Sequence, residues 1–144
     1  MGTLSIGTIS QGTLITSEII EAILDEMKLL KKDDDAKAFV EKYTKEAASV
    51  SEEHEAELLA EMEDEIHEFL PPYTYFGTIE GDGAHIGVFP DLDHLEMDRQ
   101  DGEVIDADSA SDGHNGVVVE VNDHGNMSLY MQKGSERSLI WDVV

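Results

Sequence analysis

The sequence predicts an α+β fold: an N-terminal helical layer of about three helices packed on a C-terminal antiparallel β-sheet of about four to five strands. Three observations carry this. Apolar residues recur at helical spacing through residues 16–70. Beyond Tyr73 the texture changes to short alternating runs broken by glycine. Pro71-Pro72 stand between the two textures, where a helix must stop. Helices first and strands second give α+β and not alternating α/β. A length of 144 residues suits a single domain spanning 1–144, with an extended arm (1–15), a helical part (16–70) and a β part (71–144).

In the arm, Gly2-Thr3-Leu4, Gly7-Thr8-Ile9 and Gly12-Thr13-Leu14 repeat every five residues. An extended segment or edge strand packing through Leu4, Ile6, Ile9 and Leu14 is expected. Thr16 or Ser17 is placed to cap a first helix. Its core face is Ile19, Ile20, Ile23, Leu24, Met27 and Leu30, with Lys28, Lys31 and Lys32 expected in the last turns, where cations suit the macrodipole. One of Asp33–Asp35 caps a second helix running to about Ala48, with Phe39, Val40, Tyr43 and Ala47 inward. Ser49 and Glu52 have capping-box spacing, and Ser51 is a second candidate cap for the third helix. In the β part, "YTYFGTIEGDGAHIGVFP" reads as two strands around Gly81-Asp82-Gly83. Residues 91–115 read as a long acidic loop with one short strand near Glu103–Ala107. "GVVVEVNDHGNMSLYMQ" reads as a hairpin with Gly125 in its turn. A last strand, Ser138–Val144, is expected to point Leu139, Trp141 and Val143 one way.

Charge separates the two textures further. The net charge is −24, from 33 acids against 9 Lys and Arg. Residues 1–50 hold 9 acids and 6 lysines, whereas residues 51–144 hold 24 acids and 3 bases. Such a surface repels nucleic acid and anionic lipid and attracts basic surfaces or cations. With no cysteine, disulfides and thiolate metal sites are excluded. No apolar run reaches the length of a membrane span, and the N-terminus lacks the basic start and long apolar core of a secretory signal.

"YFGTIEGDGAHIGVF" and "VEVNDHGNMSLY", together with the opening "ISQGTLITSEIIEAILDEM" and the terminal Trp strand, resemble a group of small uncharacterised phage-encoded proteins. The resemblance covers about half the chain, in pieces. It implies a phage or prophage origin and a role in the cytoplasm of the host bacterium. It brings no activity and no site residues.

The segment "EEHEAELLAEMEDEIHEFLPP" raises the functional question. Between Glu52 and Phe69 it carries nine carboxylates and no lysine or arginine. On a helical wheel with Leu58 at 0°, the residues Leu58, Leu59, Met62, Ile66, Phe69 and Leu70 form one apolar face about 120° wide. Glu53, Glu57, Glu61, Asp64 and Glu68 form a stripe beside it. Like charges at these spacings destabilise a helix by about 0.2–0.5 kcal/mol per pair, and the last of them crowd the negative end of the macrodipole. A solvated face that drifted acidic competes with a negative surface built for a basic partner. One carboxylate per about 5 Å of axis is too sparse to imitate duplex DNA, which carries one charge per about 1.7 Å. Imitation needs a second row, and Glu96, Asp98, Asp101, Asp106 and Asp108, with Glu103 and Asp112, are the residues that would supply it. Dimerisation would extend the same surface.

Other constellations are weaker. Asp and His recur together at Asp82/His85, Asp93-His94, Asp112/His114 and Asp123-His124, without the spacing of a zinc motif. "DADSASDGHNG" does not fit an EF-hand loop. Ser109 and Ser111 lack a nucleophile elbow, and "GTIEGDG" lacks the ending of a phosphate loop. The expectation is therefore not an enzyme, with no cofactor and no direct contact with nucleic acid or membrane. The leading reading is an acidic inhibitor that binds the basic nucleic-acid-binding surface of a host defence protein, of the anti-CRISPR or anti-restriction kind. Its alternatives are a self-associating phage structural or assembly protein and a metal-dependent hydrolase using the His/Asp turns.

Overall fold

The computed structural model describes residues 3–79 and 81–143, so Gly2 of the arm repeat and Val144 of the last strand lie outside the described residues. The chain divides into two compact units, Met1–Pro90 and Asp91–Val144. Among the described residues it is mixed α+β, with four α-helices and seven strands in two sheets. This corrects the expected single sheet of four to five strands: the three N-terminal helices share their core with a sheet of their own.

In the first unit the order is β1 (Gly7–Ser10), α1 (Thr16–Met27), α2 (Asp34–Ser49), α3 (Glu55–Ile66), β2 (Thr74–Ile79) and β3 (Asp82–Pro90). The strands pair antiparallel in the order β1-β3-β2. Ile19, Ile20, Ile23, Leu24 and Met27 of α1, Phe39 and Tyr43 of α2, and Leu58, Met62 and Ile66 of α3 are buried in one cluster with Val88 of β3 and Leu4 of the arm. The arm behaves as the expected edge strand, anchored by the Leu4 amide donating to the Phe69 carbonyl at 2.8 Å. Leu14 departs from expectation, being 73% exposed. β1 lies so close to β3 that a Cβ on Gly87 would sit 2.2 Å from the Gly7 carbonyl oxygen. Only glycine fits there.

Several helix ends differ from those that residue spacing predicts. Asp33 caps α2 as expected, its carboxylate accepting from the amides of Asp35 (2.9 Å) and Ala36 (3.2 Å). Ile15, not Thr16 or Ser17, occupies the N-cap of α1. Thr13 takes over the polar work there, accepting from the Ile15 amide and donating to Glu18. α1 ends at Met27, so Lys31 and Lys32 fall in the connecting turn and not in the helix. The Ser49/Glu52 capping box does not form: Ser49 Oγ bonds back to the Lys45 and Glu46 carbonyls, and Ser51 Oγ meets His54 Nδ1 at 2.8 Å. α3 is instead flanked by 3₁₀ turns at Glu52–His54 and His67–Phe69. The chain leaves through Leu70 in an extended conformation, followed by Pro71-Pro72 and by Tyr73 at φ 58°.

The second unit begins with α4 (Leu92–Asp101), then β4 (Ile105–Asp106), β5 (Asn115–Val121), β6 (Met127–Lys133) and β7 (Glu136–Val143), in sheet order β4-β5-β6-β7. The helix corrects the long loop expected over 91–115. Asp91 caps it by accepting from the His94 amide at 3.1 Å, and Gly102, left-handed at φ 82°, closes it. β4 pairs parallel with β5, so this sheet is not purely antiparallel. The β5–β6 hairpin forms as expected, with Gly125 at φ 81°. Consecutive Val118 and Val119 are both buried, so both faces of the sheet are covered at this point. The register between β6 and β7 shifts between Leu129 and Tyr130: Leu129 faces Trp141, but Tyr130 faces Leu139. This bulge at Ile140 turns Leu139 to the opposite face from Trp141 and Val143, which corrects the expected common face. Trp141 is buried and Leu139 is 55% exposed.

Candidate functional site

The apolar face of α3 is as the wheel places it. Leu58, Met62, Ile66 and Phe69 are buried and Leu59 and Leu70 are half-buried. Burial of that face fixes the helix's rotation about its axis, so the opposite stripe has to face water. Glu53, Glu57, Glu61, Asp64 and Glu68 are all exposed, and none of the five joins an ion pair among the described residues. The 3₁₀ turns modify the geometry. Glu53 and Glu68 lie in them, and at 120° and about 2 Å per residue they carry each end of the stripe about 40° outwards. They also lengthen the row to about 25 Å. The charges therefore fan slightly and are spaced at 5–6 Å, still far sparser than the roughly 1.7 Å of duplex DNA.

Neighbouring carboxylates on α3 have different environments. Lys42 on α2 donates to Glu65 at 2.8 Å and lies 4.8 Å from the centre of the Tyr43 ring. That hydrogen bond holds the Glu65 carboxyl below the ordinary glutamate range and raises the Lys42 ammonium above its own. Burial first, and the nearby Glu65 second, push the Tyr43 hydroxyl up to about 12. Glu63 is held above the ordinary range, chiefly by burial and secondly by Asp64 beside it. The sequence reading missed the Lys42–Glu65 pair. The two residues are 23 apart, and no local spacing rule links two helices that meet side by side.

The second row proposed from sequence belongs to the second unit, where most of its acids are exposed and three have partners. Arg99 on α4 donates to Glu96 at 3.2 Å and to Asp106 at 2.8 Å. Asp98, with its side chain 17% exposed, lies 3.5 Å from His94 Nε2. Glu96, Asp98 and Asp106 thus have internal partners, while Asp101, Glu103, Asp108 and Asp112 are exposed. The structure brings Glu96, Asp106 and Arg99 together as a clamp between α4 and β4. It gathers Glu57, Glu61 and Asp64 on α3, with Glu53 and Glu68 in the 3₁₀ turns at its ends.

A polar knot follows the clamp. Gln132, 2% exposed, donates to the carbonyls of Ser111 (2.7 Å) and Gly134 (2.9 Å). Its oxygen accepts from Arg137 Nε at 2.8 Å, and Arg137 also donates to the Ala107 carbonyl at 3.0 Å. The 107–115 segment is therefore tied to the β6–β7 hairpin. The His/Asp turns do not converge: among the described residues no group of three or more His, Asp or Glu side chains is arranged to hold a metal ion. No helix among them is long and apolar enough to cross a membrane. Comparison with protein-family models, with curated proteins and with solved structures gives no match.

Proposed function

We propose that this chain is an acidic inhibitor of phage type that occupies the basic, nucleic-acid-binding surface of a host protein, in the manner of anti-restriction or anti-CRISPR proteins. The observation that carries the reading is the α3 stripe: five exposed carboxylates without ion-pair partners among the described residues, on a stretch (residues 46–98) that contains no lysine or arginine. Lys42 and Arg99 compensate other acids and leave these five available.

In this reading the acids of α3 meet Lys and Arg of the target, which the field of a −24 molecule steers into place. The spacing of the stripe limits its grip to a handful of cations. Inhibition then works by covering part of a nucleic-acid groove and repelling the phosphates that would enter the rest. Exposed pairs of this kind are screened by salt over a Debye length of about 8–10 Å near physiological ionic strength.

The test is affinity capture from bacterial lysate at about 50 and 500 mM salt, with the wild-type chain and with a variant carrying glutamine at Glu57, Glu61, Asp64 and Glu68. A nucleic-acid-handling protein retained by the wild type at low salt, released at high salt and missed by the variant is the expected result. Retention of the same partner by the variant at the same salt would remove the stripe from the mechanism.

A further inference from the structure

The six lysines of the first unit all lie between Lys28 and Lys45, and three of them rim a single groove. The end of α1, the turn after it and the first turns of α2 enclose about 290 Å³ above an apolar floor of Met27, Leu30 and Val40. Lys28, Lys31 and Lys37 line its edge, and Glu41 is the acid among its lining residues. Lys28 reaches Asp25 at 3.5 Å and Lys37 reaches Asp34 at 4.0 Å, both as exposed pairs three residues apart, which hold their ammonium groups only weakly. Glu41 is itself engaged by Lys45 at 3.4 Å. Lys31 joins no ion pair among the described residues. A protein of net charge −24 thus carries, among its described residues, an apolar slot lined by three lysines and one glutamate, with Lys31 outside any ion pair there.

The occupant is constrained by charge and by size. An acidic protein or a second copy of this chain would bring many negative charges against −24, and that long-range repulsion scales with the product of the charges. A single carboxylate meets the local lysines with little of that penalty. The volume lies just below the roughly 300–1,000 Å³ found for ligand pockets, which suits a short hydrocarbon tail. We propose that this groove binds a small monoanionic amphiphile of the medium-chain aliphatic carboxylate class. Its carboxylate sits among Lys28, Lys31 and Lys37, and its tail lies on Met27, Leu30 and Val40. The site is separate from the α3 stripe and does not depend on the reading given for it.

The experiment is a titration of the full ¹⁵N-labelled chain with sodium decanoate below micelle formation, followed by amide shifts. Decyltrimethylammonium serves as the control of equal tail and opposite charge. Saturable one-to-one binding is expected, with the largest shifts at Met27–Lys31 and Lys37–Glu41. The triple variant K28Q/K31Q/K37Q should bind at least tenfold more weakly, and K31Q alone about threefold, with the rest of the spectrum unchanged. The cationic control should bind no better than the triple variant. Shifts that never saturate, that map elsewhere, or that survive the lysine replacements would overturn the assignment. So would a synthetic peptide of residues 52–70 that displaced decanoate, since the groove would then favour an acidic helix.

Discussion

Replacing Glu57, Glu61, Asp64 and Glu68 together by glutamine should make the protein more stable while it loses its partner. The stripe contains four like-charge neighbours at helical spacing: Glu53/Glu57, Glu57/Glu61, Glu61/Asp64 and Asp64/Glu68. All five side chains are exposed and without ion-pair partners among the described residues, so each pair costs about 0.2–0.5 kcal/mol and the four cost about 1–2 kcal/mol together. Glu57 lies in the first turn of α3, where the macrodipole favours an acid, and its neutralisation gives back about 0.3 kcal/mol. Removing Glu68 from beyond the C-terminal end returns a similar amount with opposite sign. Glutamine and glutamate have nearly equal helix propensity. The net gain is about 1–2 kcal/mol, a rise in Tm of about 4–16 °C for a unit of this size. The assay is thermal and urea unfolding at low ionic strength and again at about 1 M salt, where the Debye length falls to about 3 Å and the difference should collapse. A variant no more stable than wild type at low salt would mean that the stripe carries no repulsion. Its acids would then not be kept at a cost for a partner.

Three further outcomes follow from particular contacts. Gly87→Ala places a methyl group 2.2 Å from the Gly7 carbonyl, so β1 must move away at a cost of about 1–3 kcal/mol; amide exchange at residues 7–10 should quicken well before exchange in α2. Gln132→Leu removes the Gln132 bonds to Arg137 Nε and to the Ser111 and Gly134 carbonyls, lowering stability by about 1–3 kcal/mol, which urea unfolding followed by Trp141 fluorescence would read. Glu65→Gln should change the acid limb of stability. Because Lys42 lowers the folded-state pKa of Glu65, this carboxylate stabilises the fold above the unfolded glutamate value of about 4.3, and the benefit disappears as pH falls through the lower folded value. The variant should be less stable than wild type at pH 7 and converge with it on acidification, as checked by urea midpoints between pH 7 and pH 3.

Where local chemistry decided the structure, the sequence was readable. Asp33 before a run of helix formers, the apolar face of α3 and the Gly125 hairpin each follow from contacts within a few residues. α4 escaped because its periodicity is poor. Leu95 alone is buried in it, while Leu92 and Met97 are exposed. The signal that would have found it was at its ends, where Asp91 and Gly102 have cap spacing. The division into two sheets and the parallel β4–β5 pair depend on long-range partner choice, which alternation does not encode. The bulge at Ile140 is likewise invisible, since a one-residue slip leaves composition unchanged while reversing Leu139. Of the proposed site, exposure of the α3 acids could be read, because the apolar face opposite them sets the rotation. The pairing of Glu96 and Asp106 could not, because it depends on Arg99 bridging α4 and β4.

The pairing of β1 with β3 also sets an order of events during synthesis. Gly7 finds its partner at Val88, so the first strand of this unit is completed by almost its last segment. At about 5–20 residues per second, that is a wait of about 4–16 s. Through that interval α1 holds Ile19, Ile23 and Met27 ready for a sheet that does not yet exist. The acids of α3 emerge in the middle of the wait, and their mutual repulsion discourages nascent chains from sharing those faces with one another. Charges that face water in the finished protein thereby keep incomplete chains apart.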